Sequence, residues 1–222
     1  MVHQTRGAYH FGASQRLPEE TLSALVSIFQ EKESDSASRL EGRRSISRLE
    51  IAQIGAVVVK HYRRGGLLAH LIRKHYLRSG KTRCQLEFEQ MVRARQAGVN
   101  IPEPIAFAFK GLVFYRGWLV TKEIAHQQTL ARLSLREPER LPAARDRFRK
   151  QLAKLVAHGL WHVDLHPGNV LIDDGGRVFL VDFDKARTFR GTSRQLLAKY
   201  RKRWRRAVEK HGLPQELLAF LD

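Results

Sequence analysis

A single cysteine, Cys84, stands among 222 residues. One thiol closes no internal disulfide and builds no cysteine-based structural zinc site, which suits a reducing compartment. No apolar run reaches about 18 residues, so a transmembrane helix is not expected. The opening MVHQTRGAYHFG lacks the apolar core of a secretory signal, and residence in the cytoplasm is expected. Acidic residues are scarce: 22 Asp and Glu face 40 Lys and Arg, a formal net charge of +18. Hydrophobic residues nevertheless make up 43% of the chain, too many for a disordered polybasic tail. What remains is a folded, strongly basic protein with an anionic partner. Nucleic acid, anionic lipid and phosphorylated small molecules all meet that description.

Periodicity supplies the elements. A helix is expected from Pro18 to Phe29, with Leu22, Leu25, Val26 and Phe29 on one stripe and Glu19 and Glu20 in the first turn. The polar stretch EKESDSASRLEGRRS reads as a linker or loop. Strands follow at Ile46–Ile51 and Ala56–Tyr62, the second carrying Val57, Val58 and Val59 into Lys60. A helix from Thr82 to Ala97 closes at Gly98, and Ile105–Phe109 and Leu112–Thr121 read as a hairpin about Lys110–Gly111. A long helix spans Pro142–His158. Strands Val170–Ile172 and Val178–Val181 flank the turn Asp173–Asp174–Gly175–Gly176, and a basic helix runs from Ser193 to Lys210. A strand-rich half precedes a helical half, an α+β arrangement in two lobes with a hinge near Thr121–Ala125. Residues 1–122 are expected to form the N-lobe and residues 123–222 the C-lobe.

The chemistry concentrates between His162 and Asp184. The segment His162-Val-Asp164-Leu-His166-Pro-Gly-Asn169 leads through the hairpin to Asp182-Phe183-Asp184. Folding at Gly175–Gly176 sets Asn169 beside Asp182, with Asp164 on the loop before them. Mg²⁺ favours a few carboxylate or amide oxygens completed by substrate phosphates over a full protein cage. The pattern H-x-D-x-x-x-x-N followed by D-F-x matches the catalytic loop and metal-binding turn of a protein-kinase-like fold. Such a fold also needs a strand lysine for the ATP phosphates and a helix glutamate to pair with it. Lys60 meets the first demand and Glu87 the second, with Glu89 the nearby competitor. His162 and His166 could instead belong to a hydrolase metal site, and Asp182-x-Asp184 to a glycosyltransferase. The hairpin could also be a plain surface feature. Val163 stands where an arginine would answer an activation-loop phosphate, so that switch is not expected. Asp184 replaces the usual glycine, no long activation segment follows, and no G-x-G-x-x-G loop is present. Gly42-Arg43-Arg44-Ser45 is the one candidate phosphate-covering turn.

Four segments together resemble the lipopolysaccharide core kinases, most of all those acting on 3-deoxy-D-manno-octulosonic acid (Kdo). They are KHYRRGGLLAHLIRKHYL at Lys60–Leu77, the helix and following turn at Thr82–Phe107, GLVFYRGWLVTKEI at Gly111–Ile124, and His162–Arg187. The resemblance implies a two-lobed kinase-like fold with a minimal helical C-lobe. It also implies transfer of the ATP γ-phosphoryl group to the 4-hydroxyl of Kdo on a lipid A precursor. Carried onto this chain, Asp164 orients or deprotonates the hydroxyl, and Asn169 and Asp182 hold Mg²⁺. Lys60, steadied by Glu87, grips the phosphates, and the backbone at Glu123 and Ile124 receives adenine. The alternatives are a core heptose kinase and a small RIO-like kinase serving tRNA modification. The first reading expects no nucleic acid and leaves the oligomeric state open.

The positive charge falls in two blocks. Eight Lys and Arg and no acid lie between Lys60 and Arg83; ten lie between Arg187 and Lys210 against the single acid Glu209. In the second block Leu196, Tyr200, Trp204 and Val208 form an apolar stripe. Either it packs on the C-lobe, or it faces an anionic inner-membrane leaflet with Trp204 among Arg203, Arg205 and Arg206 near the headgroups. Arg63, Arg64 and Arg73 are further candidates for acceptor contacts.

Overall fold

Alternating apolar residues build the first sheet, and a computed structural model shows how it is covered. The structure describes residues 1–35, 46–52, 54–62, 76–77, 80–111 and 114–221. Gly42–Ser45, Arg63, Arg64 and Arg73 lie outside the described residues. The described residues form two compact units. The first is Met1–Phe88 with Glu103–Glu123; the second is Glu89–Pro102 with Ile124–Asp222.

The first unit opens with strands β1 (Val2–Arg6) and β2 (Tyr9–Ala13), joined by a tight turn in which Gly7 takes the left-handed conformation (φ 56°). Helix α1 (Glu19–Asp35) follows, then β3 (Ile46–Ile51), β4 (Gly55–Tyr62) and the short β5 (Tyr76–Leu77). Helix α2 (Arg83–Gln96), β6 (Pro104–Lys110) and β7 (Phe114–Lys122) complete the set. The sheet runs β1-β2-β6-β7-β4-β3, with β5 paired to β7 and every pairing antiparallel. Period-two alternation sorts its side chains. Val57 and Val59 of β4, Ala106 and Ala108 of β6, and Trp118 and Val120 of β7 share a core with Leu22, Leu25 and Phe29 of α1. Phe29 stacks on Trp118 at 4.6 Å between ring centroids. The opposite phase carries Lys60 and Phe107, and Phe88 of α2 packs edge-on to Phe107 at 5.5 Å.

Two expectations change here. The opening residues, read only for their lack of a signal, form a hairpin and the outermost strands. Helix α1 continues to Asp35, into the stretch read as a linker.

The second unit is richer in strands than its sequence suggested. Strand β8 (Gln127–Thr129) leads into α3 (Leu130–Arg136), and the long α4 (Leu141–Ala157) follows. Strand β9 (Leu160–Trp161), a 3-10 turn (Pro167–Asn169), β10 (Val170–Asp173), β11 (Val178–Leu180) and β12 (Arg187–Thr188) precede α5 (Ser193–Lys210). The hairpin β10–β11 gains a third strand in β8, and β12 pairs with β9. Asp173 closes the hairpin turn by accepting from the Arg177 N–H (2.8 Å) and its Nε (2.7 Å). Helix α5 begins with a capping box between Thr192 and Gln195. The α+β class expected from the sequence is the one found.

The α5 stripe belongs to the core of this unit. Leu196, Tyr200, Trp204 and Val208 are buried, and Trp204 is 1% exposed. Its ring lies 4.8 Å from Phe148 of α4, and its Nε1 donates to the Leu217 carbonyl at 2.8 Å. Trp204 is therefore not a headgroup residue, because burial against α4 and a final 3-10 turn (Gln215–Leu221) takes it out of reach of any surface.

Candidate active site

In the first unit, β4 and α2 bring together two charges far apart in sequence. Lys60 Nζ donates to both carboxylate oxygens of Glu87, at 2.8 and 2.7 Å. Glu87 is 2% exposed, and the Tyr62 hydroxyl, two residues along the same strand face as Lys60, also donates to it. A buried carboxylate needs its partners, and these two supply them. Of the two glutamates singled out, Glu87 is the one that Lys60 holds. The phase of α2 decides this, since Cys84, Phe88 and Met91 fill its buried face and Glu87 lies between them. The Cys84 thiol, wholly buried beside Ala108, has its pKa pushed up to about 11 by desolvation. It is a packing residue and no nucleophile.

Where β7 ends, the Lys122 N–H donates to the Glu103 carbonyl and the Glu123 N–H to the Ala56 carbonyl, both at 2.8 Å. The Glu123 carboxylate pairs with Arg48 at 3.0 Å. Ile124 opens the second segment of the second unit.

In the second unit, the loop between β9 and β10 carries the remaining candidates. His162 is buried, and its Nε2 donates to the Val181 carbonyl at 2.9 Å. Burial holds its pKa below the usual histidine range, and its ring meets Phe183 edge-on at 4.6 Å. These contacts make it a brace between the loop and the Asp182-Phe183 turn. Asn169 Nδ2 donates to the Asp164 carbonyl at 2.9 Å, which ties the two ends of the loop together. The Val181 N–H donates to the Asn169 carbonyl at 3.1 Å, so the β10–β11 ladder extends one step and Asp182 follows directly. Asp182 adopts φ 68°, a left-handed backbone that residues other than glycine rarely take.

One participant was not singled out for this site. Arg203, on α5, donates from Nε (3.0 Å) and Nη2 (2.6 Å) to Oδ1 of Asp164. Burial pushes the Asp164 pKa up, but the hydrogen bonds and charge of Arg203 outweigh it, and the carboxyl titrates below its ordinary range. Burial, and after it the Arg203 charge, lowers the His166 pKa as well. Tyr200, one turn earlier, accepts from the His162 N–H (2.9 Å) and donates to the Leu160 carbonyl (2.6 Å). Helix α5 thus braces the loop between β9 and β10 with Tyr200 and grips its Asp164 carboxylate with Arg203. The clue available in sequence was spacing: Arg203 lies beside the apolar stripe, on the helix face that turns inward.

The donor set suits a hard divalent cation. With its Nδ2 committed to the Asp164 carbonyl, Asn169 has its amide oxygen as the end left for a cation, and Asp182 adds a carboxylate from the next ladder position. Among the described residues no three His, Cys, Asp or Glu converge as a metal cluster. His166 Nδ1 accepts from the Gly168 N–H at 3.0 Å, and His162 is turned to Val181, so both histidines of the hydrolase alternative serve the loop itself.

Comparison with known proteins gives the family. The sequence model of the lipopolysaccharide kinase (Kdo/WaaP) family matches residues 27–212, a span that contains Lys60, Glu87, Asp164, Asn169, Asp182 and Arg203. A Vibrio parahaemolyticus protein named 3-deoxy-D-manno-octulosonic acid kinase is 38% identical over 133 residues, which are 58% of this chain and 55% of that protein. A Vibrio vulnificus protein of the same name is 35% identical over 147 residues, 65% of this chain and 61% of the relative. One from Vibrio cholerae is 33% identical over 170 residues, 73% and 71% respectively. The matched part of the chain thus spans 55% to 61% of the length of the first two relatives. With one family match running through both units, the chain belongs to the lipopolysaccharide kinase (Kdo/WaaP) family.

Proposed function

We propose that the chain transfers the γ-phosphoryl group of ATP to a sugar hydroxyl, the 4-hydroxyl of Kdo on a lipid A precursor. The observation that carries this reading is the Asp164 carboxylate, kept ionised by Arg203 on a loop whose far end is Asn169. An ionised aspartate can orient the acceptor hydroxyl and take its proton as the oxygen–phosphorus bond forms and ADP leaves. Asn169 and Asp182 hold Mg²⁺, which neutralises charge on the phosphates when bound. Lys60, aimed by Glu87 and Tyr62, grips the nucleotide phosphates, and the chain at Glu123 and Ile124 receives the adenine. Phosphoryl transfer asks mainly for such positioning and charge neutralisation.

The similarly named relatives support Kdo as the acceptor sugar. No described helix is long and apolar enough to cross a membrane. We place the chain peripherally on the cytoplasmic leaflet of the inner membrane, held there by the exposed cations of α5. Mass spectrometry of Kdo-lipid A precursor after incubation with ATP and Mg²⁺ tests the reaction. One added phosphate on Kdo is expected, and its loss in Asp164→Asn. Phosphate on heptose alone, on tRNA alone, or undiminished transfer by Asp164→Asn contradicts the reading.

A further inference from the structure

Beside the Asp164 loop the second unit carries a cationic, aromatic patch that the proposed chemistry does not use. Strands β9 and β12 pair so that Arg187 lies directly opposite Trp161, and directly opposed residues share a sheet face. The Arg187 guanidinium accordingly stacks over the Trp161 indole, 4.4 Å from its centroid. From α5, Lys199 Nζ approaches the same indole at 4.8 Å and the Phe189 ring at 5.8 Å. Phe189 meets Trp161 edge-on at 5.8 Å, which props the indole in place. Three elements therefore converge on one ring, and the two cations that they bring are exposed.

An indole face attracts one cation readily. Two on a single indole leave an excess of positive charge, and neither Arg187 nor Lys199 makes an ion pair among the described residues. The patch also has a fixed relation to the reacting group. Trp161 precedes Asp164 by three residues, an extended reach of at most about 10 Å. Lys199 precedes Arg203 by about one helical turn, a rise of about 6 Å. An acceptor whose hydroxyl meets Asp164 has its neighbouring groups within reach of this ring.

We infer that Trp161, Arg187 and Lys199 form an anion subsite for the acceptor, taking a carboxylate or phosphate close to the hydroxyl that is phosphorylated, with the indole holding the two cations in place. A sugar acid offers such a carboxylate. The assignment rests on the proposed sugar-kinase reading for its ligand, but binding at the patch can be measured apart from catalysis.

Trp161 is its own reporter. The protein has three tryptophans, and Trp118 and Trp204 are each 1% exposed, which leaves Trp161 as the accessible one. Full-length protein is titrated with free Kdo, with Kdo methyl ester, and with inorganic phosphate, following tryptophan emission. Free Kdo should give a saturable change that the uncharged ester does not and that Trp161→Phe abolishes. Lys199→Ala and Arg187→Ala should each weaken it at least fivefold while leaving the thermal midpoint in place. Saturation by phosphate with Kdo silent assigns the subsite to a phosphate of the acceptor. Silence with both anions, or unchanged affinity in both cation variants, overturns the subsite. Steady-state kinetics add a second reading: the acceptor KM should rise about tenfold in each cation variant, with kcat and the KM for ATP within about twofold. Failure of the wild-type protein to phosphorylate Kdo-lipid A contradicts the proposed reaction alone, since the titration stands or falls separately.

Discussion

Asp164 is pulled in two directions, and the balance sets its chemistry. Burial favours the neutral acid, whereas two hydrogen bonds from Arg203 favour the carboxylate and prevail. A depressed pKa means that the ionised form persists below the ordinary aspartate range. Replacing Arg203 by Met removes the stabilising partner and leaves the burial. The acid limb of kcat/KM should then move to higher pH, and kcat near pH 7.5 should fall by about tenfold to a hundredfold, the scale of one charged hydrogen-bonding partner. Arg203→Lys keeps the charge without the planar fork and should lie between. A pH–rate profile of Arg203→Met that overlays the wild type contradicts this coupling. On the first unit's side, Glu87→Gln leaves Lys60 and Tyr62 without the carboxylate that both address. It should weaken ATP binding about tenfold, measured by nucleotide titration, with Tyr62→Phe milder because Lys60 keeps its partner.

Elements place these residues, and α5 shows how. Its apolar stripe is legible from spacing alone, and the structure buries it against Phe148 and Phe220. Trp204→Ala should therefore cost about 3–5 kcal/mol in stability, read from urea denaturation. A loss below about 1 kcal/mol is the result expected of a surface tryptophan and argues against this packing. Spacing marked the stripe but not its consequence, that the same helix delivers Tyr200 and Arg203 to a loop about forty residues earlier. The hairpin β10–β11 was legible because Asp-Asp-Gly-Gly is a strong local turn signal. Strands β9 and β12 were not. Two-residue strands have no period to detect, and they exist because distant segments supply each other's hydrogen bonds.

Charge acts on the molecule as a whole. Lys199, Lys202, Arg205 and Arg206 are exposed on α5, and near an anionic bilayer each cation contributes roughly 1 kcal/mol. Binding to liposomes containing anionic lipid should drop steeply as salt shortens the Debye length, and neutral liposomes should bind poorly. Salt-insensitive binding argues against a charge-held peripheral protein. Stability should follow pH with a definite sign. His162 and His166 titrate below their ordinary value in the folded chain, so the unfolded chain binds more protons as pH falls. Their contribution is complete above about pH 6.5 and is lost as pH drops through the folded values, and Asp164 adds a loss of the same sign at lower pH. Calorimetry should show the thermal midpoint falling from pH 7 to pH 5; a rising midpoint contradicts the buried, neutral His162.

By itself the sequence determined the α+β class, most helices to within a few residues and the Asp164–Asn169–Asp182 constellation. These are written in local periodicity, in a turn signal and in the spacing of one segment. The pairing of Lys60 with Glu87 was also within reach, because a strand end and one helix face are both local facts. The tertiary structure alone decided that Tyr62 shares Glu87, that the opening residues complete a sheet, and that Trp204 is core. It also decided that Arg203 holds Asp164 and that Arg187 and Lys199 meet over Trp161. Each depends on a contact between segments whose separation the chain does not encode locally. Where burial leaves a charge no water, the partner is whichever residue packing brings within hydrogen-bonding distance.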